Sequence, residues 1–386
     1  MAKTLRVGMV GYGFMGKVHS NAWRQAPYFF PLKAKVELHT ICGRTPAAVQ
    51  TARAQLGWQF AATDWREVVE SPLIEIVDIV TPNDSHAEIA QAAARAGKHV
   101  LCEKPLALNV KQAAAMLAAV QKAKMGHMVC HNYRWAPAIA QAKKLIAEGA
   151  LGQIYHYHAR YAQDWLTEAE APARSKAESS GSGAHSDMGV HLIDLGRYLV
   201  GEFKEVCGLV DTFLVERPPP NQSGAREAPP AKKRVKKRAS VDMDDAASFI
   251  GRFESGAMAN LEATRCAPGR KNQVLLEING STGSLCFDFE DMNRLKFYDC
   301  GAPSDRQGFR DILVTQPGGI HPYVGQWWGP GHSLGYEHTF VHAVADFVNG
   351  CVERKPVSPS FEDGLKNQRV VEAVEESVKT RRWATV

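Results

Sequence analysis

The sequence predicts an α/β protein in which a doubly wound parallel sheet is followed by an α+β domain with a mostly antiparallel, open sheet. From residue 5 to about 130, short apolar runs alternate with longer helical stretches. Beyond residue 154, apolar and polar residues instead alternate one by one, as in half-buried strands. A length of 386 residues exceeds what one hydrophobic core usually organises, so we expect two domains, 1–131 and 132–386.

In the first half of the chain, short apolar runs bounded by turn residues indicate strands. Two connecting stretches, 85–96 and 110–124, are Ala-rich and amphipathic, which is typical of helices. Gly97 directly follows the first of them, where a helix C-terminus favours glycine. The predicted strands are 5–10, 36–42, 76–80, 99–102 and 127–131.

A glycine-rich segment follows the first predicted strand. It reads Gly-Tyr-Gly-Phe-Met-Gly from Gly11 to Gly16 and leads into a helical stretch. In such a turn the first glycine permits the sharp bend, the second lets a pyrophosphate approach the backbone, and the third allows close helix packing. We predict a Rossmann dinucleotide-binding turn, with an ordinary glycine-rich turn as the alternative. The residues predicted to contact the cofactor are Gly11, Gly13, Phe14, Met15 and Gly16.

The end of the second predicted strand bears on the choice of cofactor. In NAD-dependent proteins an acidic residue at this place binds both ribose hydroxyls. This chain has Gly43 and Arg44 there, with no carboxylate and with a guanidinium that could accept a 2′-phosphate. Arg44 could instead stack on the adenine ring. Both residues are predicted to bind the cofactor, and the choice between NAD and NADP stays open.

Two charged residues, Glu103 and Lys104, directly follow the fourth predicted strand. Ligands of open parallel sheets bind at the carboxyl ends of the strands, which is where these two side chains are expected. A lysine there can donate a hydrogen bond to a substrate oxygen and stabilise its developing negative charge. A solvated surface pair is the alternative, but the position at the strand end favours a functional interpretation.

A largely apolar stretch after residue 185 predicts a helix that begins with a side-chain cap from Ser186 or Asp187 and ends at Gly201. Asp187, His191 and Asp194 are spaced so that they share one helix face. A polar stripe on a buried helix must be hydrogen-bonded or used. His191 is the candidate general base because imidazole titrates near neutral pH, and Asp187 can orient it or meet the substrate. A histidine bonded within the core is the alternative.

Together, the glycine turn, Glu103-Lys104-Pro105 and the spacing of Asp187 and His191 resemble the Gfo/Idh/MocA family over essentially the whole chain. The resemblance implies that Lys104, Asp187 and His191 form the catalytic set and that Glu103 lies at the nicotinamide ribose. It also implies hydride transfer between NAD or NADP and a carbon-bound hydroxyl, and a homodimer or homotetramer assembled through the C-terminal sheet. The other residues implied at the cofactor are Thr81, Pro82, Asn83, His86, Asn132 and Arg134.

Residues 163–165, 181–184 and 242–245 are similar to a branch of this family that oxidises a ring hydroxyl to a ketone. In this chain Arg174 follows an alanine where that branch has a tryptophan, and Gly43 stands where it has an acidic residue. We expect oxidation of a sugar, anhydrosugar or cyclic polyol. Reduction of a keto-sugar or aldose, or cofactor sensing without catalysis, are the alternatives. The implied substrate-binding residues are Lys104, Tyr133, Gln163, Asp164, Trp165, Arg174, Asp187, His191 and His332.

The second half of the chain also contains an aromatic loop, 321–332, that has no helical or strand period. Its ring faces and hydrogen-bonding groups suit a sugar pocket and a subunit interface equally well, and His332 is our preferred pocket residue. Two terminal stretches, 336–349 and 361–380, predict helices. The predicted strands of this half are 154–162, 247–253, 257–264, 273–278 and 284–289.

The overall composition argues against several other classes of protein. The net charge is +5, but much of the excess lies in the run 232–238, which indicates a solvated loop more than a nucleic-acid contact. The sequence shows neither a run of about 18 apolar residues nor a signal-peptide pattern, so we expect a cytoplasmic protein. The eight cysteines stand singly, which predicts reduced thiols, no disulfide and no metal site.

Overall fold

The computed structural model describes residues 3–168, 183–218, 238–241 and 243–386. By their contacts the residues form two compact units. The first contains Met1–Asn132 and Gly335–Gln368, and the second contains Tyr133–Leu334 and Arg369–Val386. The segment Gly335–Gln368 thus packs with the first unit, although the sequence analysis placed it beyond the boundary at residue 131. That boundary, as a division between functional domains, stays a prediction.

The first unit is built on six parallel strands: β1 (Thr4–Val10), β2 (Lys35–Cys42), β3 (Phe60–Ala62), β4 (Ile76–Ile79), β5 (His99–Cys102) and β6 (His127–Val129). Their order across the sheet is β3-β2-β1-β4-β5-β6. The strand order reverses at β1, which lies between β2 and β4. In sheets of this type the ligand crevice lies at the carboxyl ends of the strands beside this switch point.

Helices connect these strands and bury their apolar faces against the sheet. All four residues of β4 are buried, as expected for a central parallel strand covered on both faces. The helix His86–Arg95 ends one residue before the predicted end at residue 96, and Gly97 follows with φ +70°. The predicted parallel sheet is confirmed, and the three-residue β3 was missed because it is too short to show a pattern. The connecting helices are α1 (Phe14–Phe29), α2 (Pro46–Leu56), α3 (Trp65–Glu70), α4 (His86–Arg95) and α5 (Val110–Ala123).

The second unit is built on a nine-stranded mixed sheet, in the order β16-β15-β14-β13-β7-β12-β11-β8-β17. Its strands are β7 (Ile154–Ala162), β8 (Phe203–Asp211), β11 (Ala246–Phe253), β12 (Met258–Thr264), β13 (Gln273–Gly280), β14 (Gly283–Asp288), β15 (Arg294–Asp299), β16 (Arg310–Leu313) and β17 (Ala384–Thr385). A separate ribbon pairs β9 (Glu216–Arg217) with β10 (Ala239–Ser240). Strands β7 and β12 pair in parallel, and the other neighbours in the sheet pair antiparallel. The mostly antiparallel sheet predicted from the sequence is therefore confirmed.

Helices of the second unit contact one face of this sheet, and among the described residues the opposite face carries exposed apolar side chains. The remaining α-helices of the described residues are α6 (Pro137–Ala147), α7 (Val190–Leu199), α8 (Tyr336–Glu353) and α9 (Phe361–Thr380). Helix α6 packs on β14 and β15, and α7 packs on β7. On the opposite face, Leu209, Ile250 and Met258 are 68%, 48% and 51% exposed. No helix in the described part of the chain combines the length and apolar character needed to cross a bilayer.

Candidate functional site

The glycine turn after β1 contains two glycines that the fold requires and one that it does not. Gly11 has φ +112° and donates its N–H to Cys42 O at 2.9 Å, and an added Cβ would lie 2.7 Å from Val80 O. A Cβ on Gly16 would lie 2.9 Å from Gly11 O. A Cβ on Gly13 would meet no atom within 4 Å. Gly13 therefore borders open space at the N-terminus of α1.

This open space lies where a helix attracts anions. Gly13 is the N-cap residue of α1, and a glycine has no side chain to occupy the N–H groups of the first turn. Those groups and the helix dipole favour a phosphate at this end. Phe14 is 49% exposed and Met15 is half-buried in the same turn. The predicted pyrophosphate position is compatible with this geometry.

A tyrosine ring occupies the place beside Gly43 at the end of β2. A Cβ on Gly43 would lie 1.9 Å from Cε1 of Tyr12, so any larger residue there would collide with the ring. Arg44 is exposed, and it forms no hydrogen bond or ion pair with the described residues. This corner of the sheet therefore offers an aromatic face and an available guanidinium. The sequence analysis did not anticipate the role of Tyr12.

His86 joins two loops at the carboxyl edge of the sheet. It has no exposed surface, and its Nδ1 and Nε2 each lie 3.0 Å from a backbone carbonyl oxygen, that of Pro105 and that of Thr81 respectively. Burial lowers the pKa of His86, although these carbonyl contacts and the charge of Glu103 oppose the shift. His86 thus ties the 81–85 segment to the segment after β5. A direct contact with the cofactor stays a prediction for His86, as it does for its neighbours Thr81, Pro82 and Asn83.

The Glu103 side chain is fixed at the end of β5. It is 5% exposed, and its Oε2 accepts a hydrogen bond from the backbone N–H of Lys104 at 3.2 Å. Burial alone would raise the pKa of Glu103, but the hydrogen bond and charge of His19 and the charge of Lys104 lower it. Glu103 is therefore a buried anion beside a half-buried lysine. This local arrangement agrees with the predicted position of the two residues at the strand end.

A buried group of charged residues supports Glu103 from within the sheet. His19 Nε2 lies 2.9 Å from Glu103 Oε1, and His19 Nδ1 lies 3.0 Å from both carboxylate oxygens of Asp78. Trp23 Nε1 donates to Asp78 Oδ2 at 2.7 Å. This group was not predicted from the sequence. A single carboxylate inside the apolar run of β4 was the available signal, because buried charges in proteins are almost always paired.

Cys130 lies close to this group and raises the question of a metal. His19, Glu103 and Cys130 offer ligand atoms within 4.8 Å of one another. Burial, with the added charge of Glu103, raises the pKa of the Cys130 thiol to about 12. Metals bind the thiolate, and both ring nitrogens of His19 already face carboxylates. We therefore interpret the group as a hydrogen-bonded cluster, and the absence of a metal site stays a prediction.

The segment that carries His191 begins differently from the prediction. Residues His185–Gly189 form a π-helical turn that continues into α7, and neither Ser186 nor Asp187 caps it. The Asp244 carboxylate instead accepts hydrogen bonds from the N–H groups of Gly183 and His185. The predicted side-chain cap was wrong because the capping residue lies about 60 positions away in sequence.

The two carboxylates expected beside His191 are both paired with arginines. Arg265 Nη2 donates to Asp187 Oδ2 at 2.9 Å. Arg134 donates from Nε and Nη2 to the two oxygens of Asp194 at 2.7 and 2.6 Å, and the pair is buried. Asp187 is thus held by a residue that the sequence analysis missed. The contact with Asp194 gives Arg134 a structural partner within the second unit, and its role at the cofactor stays a prediction.

His191 is 6% exposed and packs against aromatic rings. Its ring centroid lies 4.7 Å from that of Tyr133 and 5.8 Å from that of Tyr161. The two tyrosine hydroxyls lie 2.9 Å apart, and the Tyr161 hydroxyl donates to Asn272 Oδ1 at 2.8 Å. Gln163 Nε2 donates to the same Asn272 oxygen at 2.7 Å. The structure therefore joins the predicted residues Tyr133, Gln163 and His191 in one polar and aromatic cluster of the second unit.

The other predicted substrate residues lie in different surroundings. Trp165 Nε1 donates to Gln163 Oε1, which adds it to the same cluster. Asp164 instead pairs with Lys271 at 2.6 Å and accepts from the N–H of Gly269. His332 is exposed, and its Nδ1 lies 2.9 Å from Gly329 O. Arg174 lies outside the described residues, as do residues 181–182, Asp242 and all of the basic run except its last residue, Arg238.

Asn132 and His321 each form a hydrogen bond that anchors a segment within its own unit. Asn132 Nδ2 donates to Thr339 Oγ1 at 2.9 Å within the first unit. His321 Nε2 lies 3.0 Å from Trp135 O within the second unit, and burial lowers the pKa of His321 to about 4. A neutral His321 can thus donate to this carbonyl and hold the aromatic loop. Its role was not anticipated from the sequence.

Comparison with known proteins identifies the family. Residues 5–131 match the family model "Oxidoreductase family, NAD-binding Rossmann fold", and residues 139–286 match "GFO/IDH/MocA C-terminal domain". The chain belongs to the Gfo/Idh/MocA family. This membership confirms the predicted enzyme class, an oxidoreductase, and the nicotinamide dinucleotide as its cofactor.

Individual Gfo/Idh/MocA relatives are similar over the full length. Levoglucosan dehydrogenase of Pseudarthrobacter phenanthrenivorans is 40% identical over 100% of this chain and 98% of its own. A levoglucosan dehydrogenase structure in complex with NADH and levoglucosan has a TM-score of 0.92, with 39% identity over 100% of this chain and 99% of that one. An oxidoreductase domain protein from Kribbella flavida has a TM-score of 0.93, with 49% identity over 100% of both chains. Inositol 2-dehydrogenase of Rhizobium meliloti is 24% identical over 99% of both chains.

In this Gfo/Idh/MocA chain, the glycine turn and the N-terminus of α1 leave room for a bound dinucleotide. A phosphate can approach the backbone closely only where space is open, and neighbouring atoms leave such space at Gly13. The Cβ of any other residue at position 13 would fill it. The N-terminus of α1 supplies N–H groups to that space. Gly43 and Arg44 at the end of β2 would then meet the adenosine ribose, and Glu103 and Lys104 the nicotinamide half.

The two kinds of glycine predict different effects of substitution. Gly11→Ala should destabilise the protein by about 1–3 kcal/mol, because alanine resists the positive φ and collides with Val80. Gly13→Ala should change stability by less than about 0.5 kcal/mol and still weaken dinucleotide binding. Urea unfolding and fluorescence titration with NADH measure the two effects. Equal destabilisation by both substitutions would contradict this assignment.

His19 predicts a pH dependence of stability. Burial alone would lower the pKa of His19, but Asp78, Cys130 and Glu103 outweigh it and raise the pKa well above 6.5. A group whose pKa rises on folding contributes its full stability below the unfolded value, and loses it as the pH rises through the folded value. We therefore expect the free energy of unfolding to contain a His19 contribution that declines above about pH 6.5.

Urea unfolding of wild-type protein and of His19→Gln over a series of pH values measures this contribution. The stability difference between the two proteins should shrink as the pH rises above about 6.5. A difference that stays constant up to pH 10 would show that His19 does not titrate in this way.

Proposed function

We propose that the protein is a dehydrogenase that oxidises a ring hydroxyl of a sugar, anhydrosugar or cyclic polyol to a ketone. The observation that carries this proposal is the cluster around His191, in which a buried imidazole contacts tyrosine rings that belong to a chain of hydroxyl and amide groups. Such a cluster suits a ring with several hydroxyls. The names of the full-length relatives, levoglucosan dehydrogenase and inositol 2-dehydrogenase, support the same class of substrate.

His191 and Lys104 have the central roles in the proposed mechanism. His191 accepts the proton of the reacting hydroxyl as general base. Lys104 donates a hydrogen bond to the same oxygen and stabilises the negative charge that develops there. A bound nicotinamide ring would supply the acceptor for the hydride that leaves the carbon bearing this hydroxyl. In the reverse reaction, the reduction of a keto-sugar, protonated His191 returns its proton to this oxygen and Lys104 again stabilises the negative charge there, so the physiological direction follows the supply of substrate.

The residues around His191 have positioning roles in this proposal. Asp187, fixed by Arg265, places a carboxylate on the helical segment that carries His191. Tyr133 and Tyr161 hold the imidazole plane by ring contacts. Gln163 and Asn272 present amide groups for the hydroxyls that do not react. Orientation of this kind lowers the barrier without adding chemistry of its own.

We propose that the adenosine end accepts NADP as well as NAD. A carboxylate that would repel a 2′-phosphate is missing at Gly43, and Arg44 has no other partner among the described residues. The Tyr12 ring occupies the space into which an acidic side chain at position 43 would extend. A sensor without catalysis would need the glycine turn but not the His191 cluster, which makes that alternative less favourable.

We also propose a cytoplasmic homodimer or homotetramer that forms through the open face of the C-terminal sheet. The exposed apolar side chains Leu209, Ile250 and Met258 on that face support this proposal. Light scattering of the purified protein measures the assembly, and a stable monomer would remove this part of the proposal.

Substitution of the two proposed catalytic residues tests the mechanism. Lys104→Met and His191→Asn should each lower kcat by about 100-fold or more, because each removes a group that acts in the transition state. The assay follows nicotinamide absorbance with a panel of anhydrosugars, inositols and aldoses, with NAD and NADP in parallel. Lys111→Met, on the exposed face of α5, is the matched control and should keep wild-type turnover. Wild-type kcat in a folded, cofactor-binding Lys104 or His191 variant would reject these roles.

Cofactor selectivity should depend on Tyr12 and Gly43 together. Gly43→Asp alone should lower activity with both cofactors, because the new side chain collides with Tyr12. In a Tyr12→Ala background, Gly43→Asp should raise the ratio of kcat/KM for NAD over NADP by about tenfold or more, since the carboxylate can then bind the ribose hydroxyls. Arg44→Ala should reduce kcat/KM for NADP and leave that for NAD nearly unchanged. An increase in NAD preference from Gly43→Asp alone would contradict the role of Tyr12.

A further inference from the structure

The interior of the first unit contains a linear arrangement of charged groups that the proposed mechanism does not use. Asp78 has no exposed surface, His19 is 1% exposed and Glu103 is 5% exposed. His19 stands between the two carboxylates, 3.0 Å from both oxygens of Asp78 and 2.9 Å from Glu103 Oε1. Trp23 Nε1, one turn further along α1, also donates to Asp78 Oδ2, at 2.7 Å. The order of contacts is thus Trp23, Asp78, His19, Glu103.

The hydrogen-bonding chemistry fixes the state of the histidine. Ionised carboxylates accept hydrogen bonds and do not donate them. Both ring nitrogens of His19 face carboxylate oxygens, so both carry a proton and the ring is an imidazolium. One cation therefore lies between two anions. Breaking such a buried set from one side leaves an uncompensated charge, which makes each member dependent on the others.

The three charged residues come from different elements that meet at the carboxyl edge of the sheet. His19 lies on α1, in the second turn after the glycine turn. Asp78 lies in β4, next to β1 in the sheet, and Glu103 directly follows β5. The cluster therefore links the helix that begins at the glycine turn to the residue that precedes Lys104.

The strand order indicates which half of the dinucleotide this edge serves. The end of β2 is the place where such folds bind the adenosine ribose. Strands β4 and β5 lie on the other side of β1, so their ends face the nicotinamide half. Glu103 belongs to that side, and Gly43 to the opposite one.

We propose that His19 and Asp78 are positioning residues that fix the Glu103 carboxylate for the nicotinamide half of the bound dinucleotide. This inference rests on the proposed position of Glu103 at the nicotinamide half of the cofactor. Asp78 orients His19, and His19 orients Glu103 by a charge-assisted hydrogen bond. The Glu103 oxygen Oε2 remains for the Lys104 backbone and for the ligand side. The adenosine half has no part in this chain of contacts.

A purely structural role for His19 makes a different prediction. In that case His19 would hold α1 on the sheet, and its loss would disturb the glycine turn at the start of the same helix. Binding of the adenosine and pyrophosphate half would then suffer as much as binding of the whole dinucleotide. Ligands that share the adenosine half but differ in the nicotinamide half separate the two roles.

The first experiment compares ADP with NADH on wild-type protein and on His19→Gln. Calorimetry measures the Kd of ADP, and nicotinamide fluorescence measures that of NADH. We expect NADH to bind about tenfold more weakly to His19→Gln, the usual effect of losing a charge-assisted hydrogen bond, while ADP changes by less than about twofold. His342→Gln, a buried histidine of the same unit that contacts Phe30, is the matched control and should leave both values unchanged.

The second experiment asks whether His19 acts through Glu103. Glu103→Gln should weaken NADH binding, and adding His19→Gln to it should cause little further loss, because the two side chains belong to one chain of contacts. Additive losses in the double variant would overturn the inference. Equal losses for ADP and NADH in His19→Gln would also overturn it, in favour of the structural role.

The binding comparison can be interpreted even if one variant does not fold and whatever the substrate is. If His19→Gln does not fold, Asp78→Asn, which preserves side-chain shape, is tested with the same two ligands. Failure of both variants to fold would count against a positioning role, because the cluster would then be a condition of folding. Neither experiment needs turnover, so a protein that oxidises no polyol but shows the expected binding pattern would reject the proposed substrate class and keep this inference.

Discussion

Asp78 imposes a requirement on the whole first unit, because it places a carboxylate inside a parallel sheet that water does not reach. The cost of burying an unpaired charge amounts to several kcal/mol, so a cation has to be supplied at that point. Helix α1 supplies it with His19, and the same helix begins at the glycine turn. His19 therefore both neutralises the carboxylate inside the sheet and fixes the position of the helix that begins at the glycine turn. Glu103 completes the set from the neighbouring strand end.

The second unit also pairs carboxylates with cations, on the helical segment that carries His191. Asp187 and Asp194, one before and one after the histidine, each meet an arginine contributed by another part of the unit. Paired in this way, the carboxylates stabilise the segment at two points. The imidazole packs against the rings of Tyr133 and Tyr161, which orient its plane.

The sequence predicted those features that depend on neighbouring residues. Apolar runs marked the central strands, and Gly97 marked a helix end, because burial and backbone conformation leave local patterns. The cap of the His191 segment was assigned wrongly to Ser186 or Asp187, since the true capping group, Asp244, is distant in sequence. The partners of His19 could not be predicted for the same reason. The contacts of a buried network depend on which strand ends lie side by side, and this follows from the order of the strands in the sheet.

Gly13 and Gly43 show why a glycine in a sequence does not by itself reveal its purpose. Both lie at the carboxyl edge of the sheet, yet Gly13 faces open space and Gly43 is covered by the Tyr12 ring. The first glycine leaves room for a ligand, and the second leaves room for another side chain. The residue at position 43 can therefore change only with the residue at position 12. We therefore expect cofactor preference in this chain to depend on positions 12 and 43 together.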